Sequence, residues 1–226
     1  MKKPSTLARP ASPPSPANKQ LGRRERRAAE TRERLFRAAL RLFEERGFSA
    51  TTVEDITEAA DVGKGTFFNY FPSKEHIIAA FGQLQLGKLQ AAVAAAQSGG
   101  LPTRQLLHRL AKALAEEPGR SPSLVRSILL ANLSSEPVRQ LLQQNLERGR
   151  TLLGELFAVV QQRGEIRRDL KASELARAFQ QVFFGALLMW SLDPQEPLTA
   201  RFDTVFLILW SGIGAEPSNP GKEKLS

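Results

Sequence analysis

The 226 residues are 42% apolar and 24% charged, the balance of a globular chain with one large or two small domains. With no cysteine and two histidines, a disulfide framework, thiolate zinc sites, iron–sulfur clusters and cysteine nucleophiles are excluded, and imidazole-rich metal sites have little to draw on. Thirty-two Lys/Arg against 23 Asp/Glu give a net charge of +9, which suits polyanionic partners.

No stretch reaches the roughly eighteen apolar residues of a membrane span. The basic N-terminus runs into Pro10, Pro13, Pro14 and Pro16 without the apolar core of a secretory signal. A soluble, cytoplasmic protein with no membrane partner is expected.

Residues 1–46 hold 13 Lys/Arg and 5 Asp/Glu, whereas residues 75–226 hold 17 and 14, so the basic excess is an N-terminal property. It is densest at Arg23, Arg24, Arg26 and Arg27. Residues 1–28, Pro/Ser-rich at first and without apolar periodicity, read as a disordered basic arm. Such an arm is either a solvated solubility element or a cationic segment that releases counterions from a nucleic-acid backbone.

Beyond the arm the chain reads as all-α. Residues 30–46 place Leu35, Phe36, Ala39, Leu40 and Phe43 at three-to-four spacing, an amphipathic helix stopped at Gly47. A capping box, Thr51 with Glu54 or Thr52 with Asp55, opens a second helix running to about residue 60. Asp61-Val62-Gly63 breaks it, and a third helix over 64–71 follows, with Gly63 as its cap and Pro72 after it. Ser73 is expected to cap the next. Two short helices joined by a three-residue turn form a helix-turn-helix, whose second helix suits the major groove. In the third helix Phe67 and Phe71 would face the core. That leaves Lys64, Thr66, Phe68, Asn69 and Tyr70 on the remaining arc, largely donors suited to phosphates or base edges, while Gly65 allows close backbone approach.

The run Thr51-Thr52-Val53-Glu54-Asp55-Ile56, followed by Ala60-Asp61-Val62-Gly63-Lys64-Gly65-Thr66-Phe67-Phe68-Asn69-Tyr70-Phe71-Pro72-Ser73-Lys74-Glu75, resembles the tetracycline-repressor (TetR) family of bacterial regulators. The resemblance covers about residues 29–89, with the motif at 52–71. It implies a three-helix DNA-binding domain over 29–89, an effector-binding and dimerisation domain over 90–214, and a tail at 215–226. It further implies that Thr51 or Thr52 contacts phosphate, that Lys64, Gly65, Thr66, Phe68, Asn69 and Tyr70 face the groove, and that Lys74 holds phosphate. Two positions depart from the family pattern: Phe68 stands where Tyr is usual, so no hydroxyl reaches a phosphate, and Gly63 stands where Ser or Thr usually caps.

From residue 74 onward the breaks at Gly99-Gly100-Leu101-Pro102, Pro118-Gly119, Ser134-Ser135, Arg163-Gly164 and Asp193-Pro194 divide the chain into helices over 73–96, 103–116, 122–133, 137–162, 172–192 and 198–213. The last two are apolar over more than one face. Phe179, Val182, Ala186 and Trp190, with Phe202, Val205, Phe206, Leu209 and Trp210, are therefore expected either to form a homodimer seam, with Gly185 allowing close approach, or to be central in a monomeric core. A two-fold dimer would present two recognition helices to a palindromic operator, with centres roughly 34–36 Å apart. The family resemblance implies a pocket for a small hydrophobic effector and no other cofactor or metal. Phe81, Leu84, Leu107, Leu110, Leu114, Phe157, Phe183 and Met189 are its candidate lining, though each also suits plain core.

Three other functions are weighed against a DNA-binding, ligand-responsive repressor. For an enzyme, His76 and His108 lack a catalytic partner in sequence, and no phosphate loop or metal-spaced cluster appears. For a membrane-surface protein, the basic helix before residue 46 is amphipathic, but its apolar face is needed by the helix-turn-helix core. A nonspecific DNA-coating protein would need neither the groove-facing pattern nor the wide C-terminal faces.

Overall fold

The structure, a computed structural model, describes residues 16–213, with side chains from residue 22 onward. The segments 1–15 and 214–226, expected as the outer arm and the tail, lie outside the described residues. Nine α-helices and one short 3-10 turn make up the described fold: α1 Pro16–Arg46, α2 Val53–Ala59, α3 Lys64–Tyr70, α4 Glu75–Ser98, α5 Thr103–Glu116, the turn Pro118–Arg120, α6 Pro122–Ser134, α7 Glu136–Gln162, α8 Ala172–Leu192 and α9 Leu198–Ile213. There is no strand among the described residues, and no described helix is long and apolar enough to cross a membrane.

The first helix corrects one expectation. It begins at Pro16 rather than residue 30, so residues 16–28, expected as part of the disordered arm, are helical. The segment lacks an apolar face but carries four Arg, with Lys, Gln, Glu and Ala beside them, all good helix formers. Extending an existing helix adds one hydrogen bond per residue without a new nucleation cost. Arg23, Arg24, Arg26 and Arg27 accordingly project from the exposed first half of α1.

The second half of α1, α2, α3 and the start of α4 enclose a core of Leu35, Phe36, Ala39, Phe43, Phe48, Ile56, Phe67, Phe71, Ile77 and Ile78. Local signals placed its corners well. Gly47 takes φ +84°, and Asp61 in the helix-turn-helix turn takes φ +51°, a left-handed geometry that short polar Asp tolerates better than most residues. The capping box is Thr52 with Asp55: the Asp55 N–H donates to Thr52 Oγ1 at 3.1 Å, and the Thr52 N–H donates to Asp55 Oδ2 at 2.8 Å. Ser73 is not the cap of α4; Lys74 occupies that position, and Ser73 Oγ pairs with His76 Nδ1 at 3.0 Å.

The second core lies among α4 to α9 and contains Leu106, Leu107, Leu110, Leu153, Leu156, Phe157, Leu175, Phe179, Phe183, Trp190, Phe202 and Phe206. At the crossing of α4 and α7, a Cβ added to Gly82 would come within 2.3 Å of Asn145 Nδ2, so glycine permits the approach there. Three helices are shared between the cores: α7 gives Val138 to the first and Leu153, Leu156 and Phe157 to the second, and α4 and α6 divide in the same way. α4 gives Ile77 and Ile78 to the first core and Leu86 and Leu89 to the second. α6 gives Leu124 and Ala131 to the first and Val125 to the second. Ser127 of α6 also accepts the buried Phe48 N–H at 2.9 Å, tying the second domain to the turn between α1 and α2.

Candidate nucleic-acid interface and ligand cavity

In α3, Phe67 is fully buried, 5.8 Å from the Phe71 ring, which fixes the helix's rotation. Lys64, Gly65, Phe68 and Asn69 are consequently exposed, and Thr66 and Tyr70 are half-buried at the edge of the same arc. Phe68 is 48% exposed and packs edge-on against Phe67 at 5.4 Å. An aromatic ring left half in water on a helix of otherwise small or polar exposed residues is suited to the methyl-bearing edge of a base pair.

Lys64 Nζ is paired with Glu54 of α2, and this contact holds the Glu54 carboxyl below its ordinary range. Thr52 stays exposed at the α2 N-terminus, where its N–H and hydroxyl hold Asp55 below its ordinary value.

Two expected phosphate contacts are redirected by the packing. Thr51 is buried, and its hydroxyl donates to the carbonyls of Gly47 at 2.8 Å and Leu42 at 3.3 Å; the side chain closes the corner between α1 and α2. Lys74 Nζ donates to the carbonyls of Phe48 at 2.9 Å and Thr51 at 2.7 Å and lies 4.4 Å from the Phe48 ring centroid. Its ammonium satisfies that same corner instead of standing free. Both residues had the polarity expected of a phosphate ligand, and nothing in the linear order shows that the corner has carbonyls left to satisfy.

The second domain holds a cavity of about 220 Å³ between α4, α6, α7 and α8, lined also by Leu114 of α5 and Phe202 of α9. Of the eight expected lining residues, Phe81, Leu114 and Phe183 line it. Leu107, Leu110 and Phe157 are core away from it, and Leu84 and Met189 are exposed. The difference is one of helix rotation, which apolarity alone does not specify. Sequence reasoning missed the polar lining altogether: Gln85 on α4, Asn145 on α7 and Gln180 on α8. A signal was present, because Gln85 falls four residues from both Phe81 and Leu89 and so interrupts an apolar stripe.

The seam residues also divide. Phe179, Trp190, Phe202 and Phe206 are buried in the chain's own core, and the Trp190 Nε1–H donates to the Glu196 carbonyl at 2.7 Å. Ala186, Val205, Leu209 and Trp210 are half-buried, and Val182 is exposed. The outward apolar stripe runs through Val182, Met189 and Leu192 of α8 and Leu207 and Ile208 of α9, with Ile208 68% exposed. His108 Nε2 pairs with Asp203 Oδ1 at 2.7 Å between α5 and α9 and stacks on Phe206; neither it nor His76 lines the cavity.

A helix-turn-helix with one polar arc turned outward, joined to a helical domain with an apolar hollow, is the arrangement of a DNA-binding transcriptional regulator. Comparison with known proteins gives the same class. Residues 35–81 match the family of bacterial regulatory proteins, tetR family. The chain is 31% identical over 179 residues to the transcriptional repressor DhaR of a Mycobacterium species, covering 77% of this chain and 90% of that one. It is 31% identical over 213 residues to the transcriptional regulator AcuR of Cereibacter sphaeroides, covering 87% and 95%. Among solved structures, the TetR-family repressor FadR of Thermus thermophilus, in complex with lauroyl-CoA, superposes with a TM-score of 0.61 at 31% identity, over 84% of this chain and 99% of that one. The chain belongs to the tetR family and is a DNA-binding transcriptional regulator.

Proposed function

We propose that the protein acts in the cytoplasm as a homodimer on a palindromic operator, and that a small, mainly apolar effector entering the cavity releases it from DNA. The observation that carries this reading is the sharing of α4 and α6 between the two cores. Phe81, Leu86 and Leu89 of α4 and Val125, Ile128 and Leu129 of α6 line the cavity, while Ile77, Ile78, Leu124 and the Ser127–Phe48 hydrogen bond anchor the same helices to the DNA-binding core. A ligand that wedges α4 from α6 and α7 re-aims α3 as a unit. In a two-fold pair that changes the separation of the two recognition helices away from one helical turn of DNA, and the coupling equals the ligand's differential affinity for the two arrangements.

The outward stripe of α8 and α9 supports the dimer, because aliphatic side chains exposed in a row on two adjacent helices are the pattern of a buried four-helix seam. On DNA, the exposed Lys64, Gly65, Phe68 and Asn69, with Thr66 and Tyr70 at the margin, read the groove, and Thr52 with the α2 N-terminus meets phosphate. Selection of operators from random DNA at near-physiological salt tests the reading: a palindrome with half-sites one turn apart is expected. Sequence-independent recovery would refute it in favour of a DNA-coating role.

A further inference from the structure

The cavity wall holds one side chain whose amide the fold leaves buried and wholly unpartnered. Both amide atoms of the Gln85 side chain, Oε1 and Nε2, are buried and have no hydrogen-bond partner, although Gln85 lies on the wall. A buried amide without partners is costly to maintain, so its presence calls for a partner that arrives from outside the chain.

The other two carboxamides are each engaged at one atom. Gln180 Nε2 donates to the Leu146 carbonyl at 2.7 Å, and Asn145 Oδ1 accepts from Gln83 Nε2 at 3.1 Å. No Asp, Glu, Lys, Arg or His lines the cavity, so a carboxylate, phosphate or ammonium seated there would be desolvated without a counter-charge. The remaining wall is aliphatic and aromatic, including Phe179, Phe183 and Phe202, whose neighbouring ring centroids lie 4.4 and 4.8 Å apart. At about 220 Å³ the space exceeds a benzene-sized hollow of about 150 Å³ and falls short of the roughly 300–1,000 Å³ of drug-sized sites.

We propose that the cavity's ligand is a compact, uncharged molecule of one or two rings carrying a single carbonyl, hydroxyl or amide that pairs with the Gln85 amide. This deepens the effector reading above and rests on it. A carboxamide is both donor and acceptor, so it selects for one neutral polar group among apolar contacts and against charged ends.

The test uses the full-length protein and four probes: the ketone α-tetralone, its hydrocarbon counterpart tetralin, the anion naphthoate, and lauroyl-CoA. Calorimetry on the wild type is expected to show tetralone binding roughly tenfold tighter than tetralin, with naphthoate and lauroyl-CoA weaker. Gln85→Leu is expected to remove the preference for the ketone. Ligand-free Gln85→Leu is also expected to melt above the wild type, because an unpaired buried amide has been replaced by an apolar side chain; this second readout needs no ligand.

Equal wild-type affinity for ketone and hydrocarbon overturns the proposal, as does a Gln85→Leu protein that melts lower and keeps the ketone preference. If lauroyl-CoA binds and releases operator while the neutral probes do neither, this inference falls and the effector reading stands. If none of the four binds or moves operator affinity, both fall.

Discussion

The two cores of the molecule are filled to different standards. The DNA-binding core is closed by Phe43, Phe48, Phe67 and Phe71, with neighbouring rings 5.1 Å apart for Phe43–Phe48 and 5.8 Å apart for Phe67–Phe71. The second core has a comparable chain of contacting rings, Phe157, Phe179, Phe183 and Phe202, but leaves a hollow of about 220 Å³ beside them. A filled core has one packing and transmits displacement; a hollow one offers neighbouring packings of similar energy that a ligand can choose between. On that ground the DNA-binding half is expected to be the stiffer of the two.

The harshest way to break that contrast is to put a hole in the DNA-binding half. Phe67→Ala removes a fully buried ring at the heart of α3 and is expected to cost about 3–5 kcal/mol, read by urea unfolding, with operator binding lost as well. A loss under about 1 kcal/mol would mean that this half also relaxes around voids. The pairing of the sensor domains is tested next: Ile208→Asp, on the exposed stripe of α9, is expected to give monomers by light scattering. A Trp190→Phe control, inside the chain's own core, should stay dimeric; the reverse pattern would return the seam to the buried face.

Smaller changes sharpen the picture. Lys64→Ala takes a cation from the outward arc of α3, and operator affinity is expected to fall by about tenfold, with the salt slope falling by about 1. An unchanged slope would place Lys64 away from phosphate, held by Glu54. Thr52→Ala should lower stability by about 1 kcal/mol through loss of the α2 cap. Acid probes the same corner. Because Thr52 holds Asp55 below its ordinary value of 3.8, the folded state binds this proton less readily than the unfolded chain. The resulting stabilisation is complete above that value and is lost as pH falls through the lower folded value. Asp55→Asn should flatten this part of the acid profile.

Much of the DNA-binding half was legible residue by residue, because its signals are local. A glycine that stops a helix, a Thr–Asp capping box and two phenylalanines four apart each act within one turn of chain. The direction of α3's exposed arc follows from them. Thr51 and Lys74 escaped because their partners, the carbonyls of Leu42, Gly47, Phe48 and Thr51, are backbone groups whose need for donors arises only when α1, α2 and α4 meet. The length of α1 escaped for the opposite reason: residues 22–27 are exposed and leave no apolar pattern.

In the sensor half, the order and extent of the helices were written in the periodicity of apolar residues and in the Gly and Pro breaks. Which apolar face turns inward was not. Phe179, Trp190, Phe202 and Phe206 are as apolar as Val182, Met189 and Ile208, and only the mutual rotation of α8 and α9 separates the buried set from the outward-facing one. The cavity has the same origin, since a hollow is where side chains from four helices fail to meet, and no single helix encodes a failure to meet. Composition and spacing thus determined a helical chain with a short helix at Lys64–Tyr70 whose outward arc suits a DNA groove. Tertiary packing decided which polar groups are free to act, because burial and hydrogen-bond satisfaction are properties of assembled surfaces rather than of the chain.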